Sequence, residues 1–151
     1  MIKTKKGLDL PISGIPCSEV DNSTAINSIA ILGSDYVGLK PTMMVDEGDV
    51  VCSGQKLFEN KKNPGTYITA PSSGIVKSIN RGEKRRFLSL VIDIDTSIEP
   101  TKFNVNDYAN SIDFLVDSGT LSYFRTRPYN RMPNHDEMPS AIFITACDTH
   151  P

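Results

Sequence analysis

Val45-Asp46-Glu47-Gly48-Asp49-Val50-Val51-Cys52-Ser53-Gly54-Gln55-Lys56-Leu57-Phe58 holds two turn signals inside fourteen residues. Gly48-Asp49 and Ser53-Gly54 are pairs that favour tight turns, so the strand between them must be very short. A second punctuated stretch follows at Ala70-Pro71-Ser72-Ser73-Gly74-Ile75-Val76. The two frame a hairpin whose tip is Glu59-Asn60-Lys61-Lys62-Asn63-Pro64-Gly65. Closely spaced turns between short apolar runs indicate a sandwich or barrel rather than βαβ units.

Working outward, the expected strands are Ser28–Leu32, Met43–Val45, Lys56–Asn60, Thr66–Thr69, Gly74–Ile79 and Leu88–Ile94. In the last, Leu90, Ile92 and Ile94 alternate with Ser89, Val91, Asp93 and Asp95, the pattern of a half-buried strand. The pattern changes after Pro100. Val105, Tyr108, Ala109, Ile112, Leu115 and Val116 fall on one stripe of a helix over about 105–118. Asn104 or Asn106 suits its start and Gly119 its left-handed end. An irregular stretch, Tyr123 to Pro139, leads to Ala141-Ile142-Phe143-Ile144-Thr145-Ala146-Cys147. This near-continuous apolar run suits a strand covered on both faces in an α/β sheet. The sequence stops at Pro151 without room for the crossover helix such a strand needs, so an α/β domain begins here and is expected to be incomplete.

The expected organisation is thus mainly β. A segment at 1–24 precedes a β module at 25–100, a helix and linker follow at 101–128, and a truncated α/β domain starts at 129–151.

Composition narrows the function. The chain has 151 residues, 38% hydrophobic and 23% charged, enough to bury a core. Its formal charge of −2 offers no general grip on nucleic acid or on anionic lipid. No stretch approaches the roughly 20 apolar residues of a membrane span. The basic opening Met1-Ile2-Lys3-Thr4-Lys5-Lys6 lacks the apolar core of a signal peptide. Cys17, Cys52 and Cys147 are an odd number without CxxC spacing, which argues against a disulfide framework, a zinc site or an iron–sulfur centre and for free buried thiols. There is no GxGxxG fingerprint. His135 and His150 stand in separate Pro-bearing loops, so no metal site is expected. Asp46-Glu47 and Asp93/Asp95 read as turn and strand-face acids, and no catalytic residue is expected.

The V-x-E-G-D-x-V-x-x-G-Q-x-L run followed by A-P-x-x-G-x-V resembles the biotinyl/lipoyl-carrier superfamily. The resemblance implies a β barrel-sandwich hybrid. In carriers the intervening hairpin presents a lysine for lipoyl or biotinyl attachment. Lys61 and Lys62 lie in that region but lack the small or methionine flanks of carriers, and Pro64-Gly65 reshapes the turn. Attachment is therefore disfavoured, and a carrier domain stands as an alternative function.

Over nearly its whole length the sequence resembles the A-type subunit of the bacterial sodium-translocating NADH:quinone oxidoreductase. The blocks are Met1–Ile12, Tyr36-Val37-Gly38-Leu39-Lys40-Pro41, Phe58–Gly65, Ile79–Arg85, Phe124-Arg125-Thr126-Arg127-Pro128 and Ala146–Pro151. It departs at Leu121, where the family usually has tryptophan. The resemblance implies a peripheral subunit on the cytoplasmic side of the inner membrane, without a cofactor of its own. It belongs with other subunits, including membrane subunits, in a complex that uses NADH, flavins, an iron–sulfur centre, quinone and sodium ions. The C-type subunit of a related ion-coupled electron-transport complex is a second alternative.

Two segments stand out as contact candidates. Tyr123-Phe124-Arg125-Thr126-Arg127-Pro128-Tyr129 concentrates aromatics and arginines of the kind enriched at interface hot spots. Phe124, Arg125, Arg127 and Tyr129, with Tyr36 and Leu39 from a second apolar loop, are the expected partner or quinone contacts, the plain alternative being a linker packed between two domains with Arg125 and Arg127 bonding loop carbonyls. The run Arg81-Gly82-Glu83-Lys84-Arg85-Arg86 supplies Arg81, Lys84, Arg85 and Arg86 to dock an acidic partner surface or lipid phosphates. A solvated hairpin tip is the plain alternative.

Overall fold

The computed structural model describes residues 13–14 and 17–144. Two antiparallel sheets form the module. One has the order β1-β7-β6-β3, from Ser28–Leu32, Phe87–Ile94, Gly74–Arg81 and Val50–Val51. The other has the order β2-β4-β5, from Pro41–Met43, Lys56–Asn60 and Tyr67–Thr69. Apolar side chains of both meet in one core that includes Val51, Leu57, Phe58, Ile68, Val76, Leu90 and Ile92. The Phe58 and Phe87 rings pack tilted across it with centroids 5.2 Å apart.

Each signature residue has a local task. The Gly48 N–H donates to Val76 O at 2.8 Å and Val76 N–H returns a bond to Asp49 O at 2.9 Å, which seats the first turn on β6. The Glu47 carboxylate accepts from Ile79 N–H at 2.7 Å, and that of Asp49 accepts from Asp46 N–H at 2.8 Å. Gly54 N–H donates to Ala70 O and Ala70 N–H to Gln55 O, both at 2.8 Å, while Gln55 Oε1 accepts from Cys52 N–H at 3.0 Å. Gly74 has no alternative residue. A Cβ there would lie 2.0 Å from Asp93 O on the paired strand.

The expected strands form, with informative shifts. Ser28–Leu32 and Lys56–Asn60 have the expected bounds. The strand expected at Met43–Val45 is displaced to Pro41–Met43. It is an edge strand, where proline's missing N–H costs no ladder bond, and buried Val45 turns out of the ladder into the core. The β6–β7 hairpin is longer than expected at both sides, reaching Arg81 and starting again at Phe87. Its register slips between Asn80 and Arg81. That bulge puts Phe87 in the core beside Leu90 and turns Leu88 outward, 41% exposed, against the simple alternation.

The single long helix expected over 105–118 is not formed. A 3₁₀ turn spans Val105–Asp107, and α1 spans only Ser111–Asp117. Two asparagines divide the stripe. The Asn104 side chain accepts from Asn106 N–H at 3.1 Å, and that of Asn110 accepts from Asp113 N–H at 2.8 Å, so each starts its own turn. Tyr108, in extended backbone between them, packs edge-on against Phe114 at 5.4 Å. Gly119 does adopt the left-handed conformation, φ 72°, and sits too close to Thr69 to carry a side chain. Buried Leu121 follows in a 3₁₀ turn over Thr120–Tyr123 that touches β5.

At the end of the described residues, Ala141–Ile144 pair with no strand and are exposed, in contrast to the buried strand expected there. An apolar run without a neighbouring ladder cannot satisfy its backbone in sheet form. The remainder of that run, Thr145–Cys147, and His150 lie outside the described residues. The expected burial of the thiols does not hold for the two described. Cys17 is exposed and Cys52 half-buried. No helix among the described residues is long and apolar enough to cross a membrane.

Candidate functional site

The candidate contacts surround Tyr36. A 3₁₀ turn at Gly33–Asp35 leads out of β1, and the loop to Pro41 places Tyr36 and Leu39 half-buried against the core. Gly33 is what allows this. A Cβ there would meet the Phe87 carbonyl oxygen at 2.5 Å, so the loop can lie directly on the start of β7.

On one side of Tyr36 is the aromatic–arginine loop. The Arg125 guanidinium lies 5.9 Å from the Tyr36 ring centroid. It also donates to the Ser122 and Phe124 carbonyls, so it ties the loop to itself. Thr126 N–H donates to Arg131 O and Asn130 N–H to Thr126 O, both at 2.8 Å, closing a turn that carries Arg127 and Tyr129 into solvent. Tyr129 is 73% exposed and flanked by Arg131, 5.7 Å from its ring. Tyr123 and Phe124 are exposed beside it. Burial raises the Tyr36 phenol above its ordinary range. The nearby Tyr123 and Asp35 add to this and Arg125 opposes it. At neutral pH Tyr36 is therefore a hydrogen-bond donor.

On the other side is a cleft of about 730 Å³ between the loop at 33–41 and the tip of the β6–β7 hairpin. Tyr36 and Leu39 line it together with Arg81, Lys84, Arg85 and Arg86. Two segments far apart in the sequence are thus brought together here, while Phe124, Arg127 and Tyr129 do not line the cleft. No periodicity could have joined them. The contact depends on Gly33 lying on Phe87 and on the bulge that turns Leu88 outward.

The β4–β5 hairpin, where a carrier would be modified, is arranged differently. Lys61 and Lys62 are exposed at its tip, but the turn beneath them is closed. Buried Asn63 donates through Nδ2 to Pro133 O at 2.7 Å. Gly65, at φ 82°, lies so close to His135 that a Cβ would be 2.8 Å from its Nδ1. Asn60 Oδ1 accepts from Lys40 and Lys62 N–H, both at 3.3 Å, and Glu59 Oε1 from Gly65 N–H at 2.8 Å. The acids also have structural partners. Asp93 pairs with Lys77 at 3.0 Å, and Asp95, lowered by its bonds from Ser97, closes an exposed turn.

Comparison with known proteins agrees with this architecture. Residues 2–95 match the family described as the NqrA N-terminal barrel-sandwich hybrid domain, and residues 108–151 match the NqrA second alpha/beta domain. The A-type subunit of the Na(+)-translocating NADH-quinone reductase of Actinobacillus pleuropneumoniae serotype 5b is 48% identical over 158 aligned positions, and that of Haemophilus influenzae strain PittGG is 46% identical over 159. The corresponding protein of Photorhabdus laumondii is 47% identical over 159. Each alignment covers the whole chain and 35% of the relative, so the chain spans about a third of the length of these proteins. With two family domains matched in order on a barrel-sandwich hybrid frame, the chain belongs to the NqrA family, the A-type subunits of the Na(+)-translocating NADH-quinone reductase.

Proposed function

We propose that the chain is a peripheral, non-catalytic part of a complex in which NADH oxidation and quinone reduction drive sodium translocation. In this proposal it lies at the cytoplasmic side of the membrane. The flavins and the iron–sulfur centre reside on other subunits, and this chain docks on the membrane subunits and shapes quinone access.

Family membership supports the complex. The observation that carries the docking is the exposed loop Tyr123–Tyr129, where three aromatics and Arg127 project from a turn braced by its own hydrogen bonds. A braced aromatic surface loses little conformational entropy on binding, which is what an interface anchor needs. Arg125 shapes the loop through the Ser122 and Phe124 carbonyls, and Arg127 reaches outward. Tyr36, with its phenol kept protonated, supplies a donor suited to a quinone carbonyl beside the same loop.

The test is Arg125→Ala with Arg127→Ala in the assembled complex. The expected result is weakened assembly or quinone reduction while electron transfer from NADH to flavin persists. Quinone reductase activity and assembly equal to wild type would overturn the proposal.

A further inference from the structure

The cleft beside Tyr36 has properties that docking by the Tyr123–Tyr129 loop does not use. Five cations, Lys40, Arg81, Lys84, Arg85 and Arg86, line it in a chain whose net charge is −2. Lys56, Lys77 and Lys102 have carboxylate partners within 4.0 Å, but none of these five has one among the described residues. Asp35 and Glu83 stand next to the lining without entering it.

The backbone holds the charges in place against its own preference. Lys84 and Arg85 both have positive φ, 53° and 60°, at the centre of a turn closed by Arg86 N–H to Glu83 O at 3.1 Å. Hairpin turns of that shape favour Asn-Gly. A merely solvated tip has no reason to keep two long cationic side chains there, and such outliers gather at ligand clamps. The third feature is apolar. Val37 and Leu88, 57% and 41% exposed, lie on the same cleft beside the cations.

We propose that this cleft seats the phosphate headgroup of an anionic phospholipid and that this end of the barrel lies on the membrane surface. Guanidinium groups match phosphate oxygens in pairs. Val37 and Leu88 enter the interface beside the headgroup, with the long cationic side chains reaching the phosphates above them. An acidic protein surface would use the charges but leave the two apolar side chains wet, and the lipid uses both. The inference rests on the reading of the chain as part of a membrane complex.

The experiment is sedimentation of the protein, as its source cell makes it and without partner subunits, with vesicles of phosphatidylcholine or of an equal mixture with phosphatidylglycerol. Binding is expected to the mixed vesicles alone and to fall as salt rises. Lys84→Asn with Arg85→Gly suits the turn while removing two charges, so the variant stays folded. It is expected to bind about 25-fold more weakly, at about five-fold per charge. Lys61→Gln with Lys62→Gln, on the other hairpin, is expected to bind as wild type. Val37→Ser with Leu88→Ser is expected to weaken binding that persists at high salt. Equal binding to both vesicle types, or an equal loss in the Lys61 and Lys62 variant, would overturn the proposal. Mixed-vesicle binding of the Lys84 and Arg85 variant equal to wild type would also overturn it, and unchanged binding of the Val37 and Leu88 variant would overturn the placing of those two side chains in the membrane interface. Because no partner subunit is present, failure here leaves the docking loop standing. Failure of the Arg125 and Arg127 variant to disturb assembly likewise leaves vesicle binding as it was.

Discussion

Two hairpin tips of one barrel carry nearly the same kind of sequence and have opposite surroundings. The β4–β5 tip, with Lys61 and Lys62, is sealed from beneath by the segment 132–136 through Asn63 and Gly65. The β6–β7 tip, with Lys84, Arg85 and Arg86, projects over an open cleft on a strained turn. In a carrier domain the first would be the working end. Here its turn is joined to the segment 132–136, and the second tip, whose cations are no more exposed, overhangs the cleft. A lysine's position in a superfamily pattern does not fix its role. What packs under the turn and what shares its surface do.

The two hairpins are joined through the core at Phe58 on β4 and Phe87 at the head of β7. Breaking that joint gives the largest expected effect. Phe58→Ala or Phe87→Ala is expected to cost about 3–5 kcal/mol in urea unfolding. The double variant is expected to lose less than the sum of the two, because the aromatic pair carries about 0.5–1.5 kcal/mol of its own. Strict additivity would mean that the hairpins are energetically separate.

The next effect belongs to the sealed tip alone. Asn63→Ala removes a buried donor and leaves the half-buried Pro133 carbonyl without its partner, an expected loss of about 1 kcal/mol. Amide exchange should then rise at 132–136 and stay unchanged at the β6–β7 tip. Faster exchange at both tips would erase the contrast between them.

The projecting tip predicts the opposite sign. Lys84→Asn with Arg85→Gly relieves two left-handed positions and is expected to raise stability by about 1 kcal/mol while vesicle binding falls. A loss of stability would show that the cationic side chains brace the turn rather than strain it.

These contrasts were only partly legible in the sequence. The strand Ser28–Leu32 was readable because Ile29 and Ile31 alternate toward one face, and Lys56–Asn60 because Leu57-Phe58 is a short apolar run bounded by turn signals. The signature turns were readable because each needs its own glycine. The helix was overextended because periodicity ignores local competition, and the side chains of Asn104 and Asn110 interrupt it. The cleft was illegible for a different reason. Its walls are some forty residues apart in the chain, joined by the approach of Gly33 to Phe87, and one bulge reverses the face of Leu88. The sequence pointed to Tyr36, Leu39 and the basic run separately, and only packing made them neighbours.

The smallest effect probes that packing from the Tyr36 side. Burial raises the folded-state pKa of Tyr36, so the folded protein holds the phenolic proton at a pH where the unfolded chain releases it. Below the ordinary phenol range near 10 the group costs nothing. Above it, stability falls as pH rises, because the unfolded state then binds fewer protons than the native state. Tyr36→Phe removes this dependence and is expected to flatten the alkaline limb of a stability-against-pH curve while leaving neutral stability close to wild type. Arg125→Gln is expected to steepen the same limb, since it removes the cation that opposes the shift. An identical limb in wild type and Tyr36→Phe would mean that the loop opens before the phenol ionises. The contact between the cleft and the docking loop would then be weaker than either hairpin's hold on the barrel.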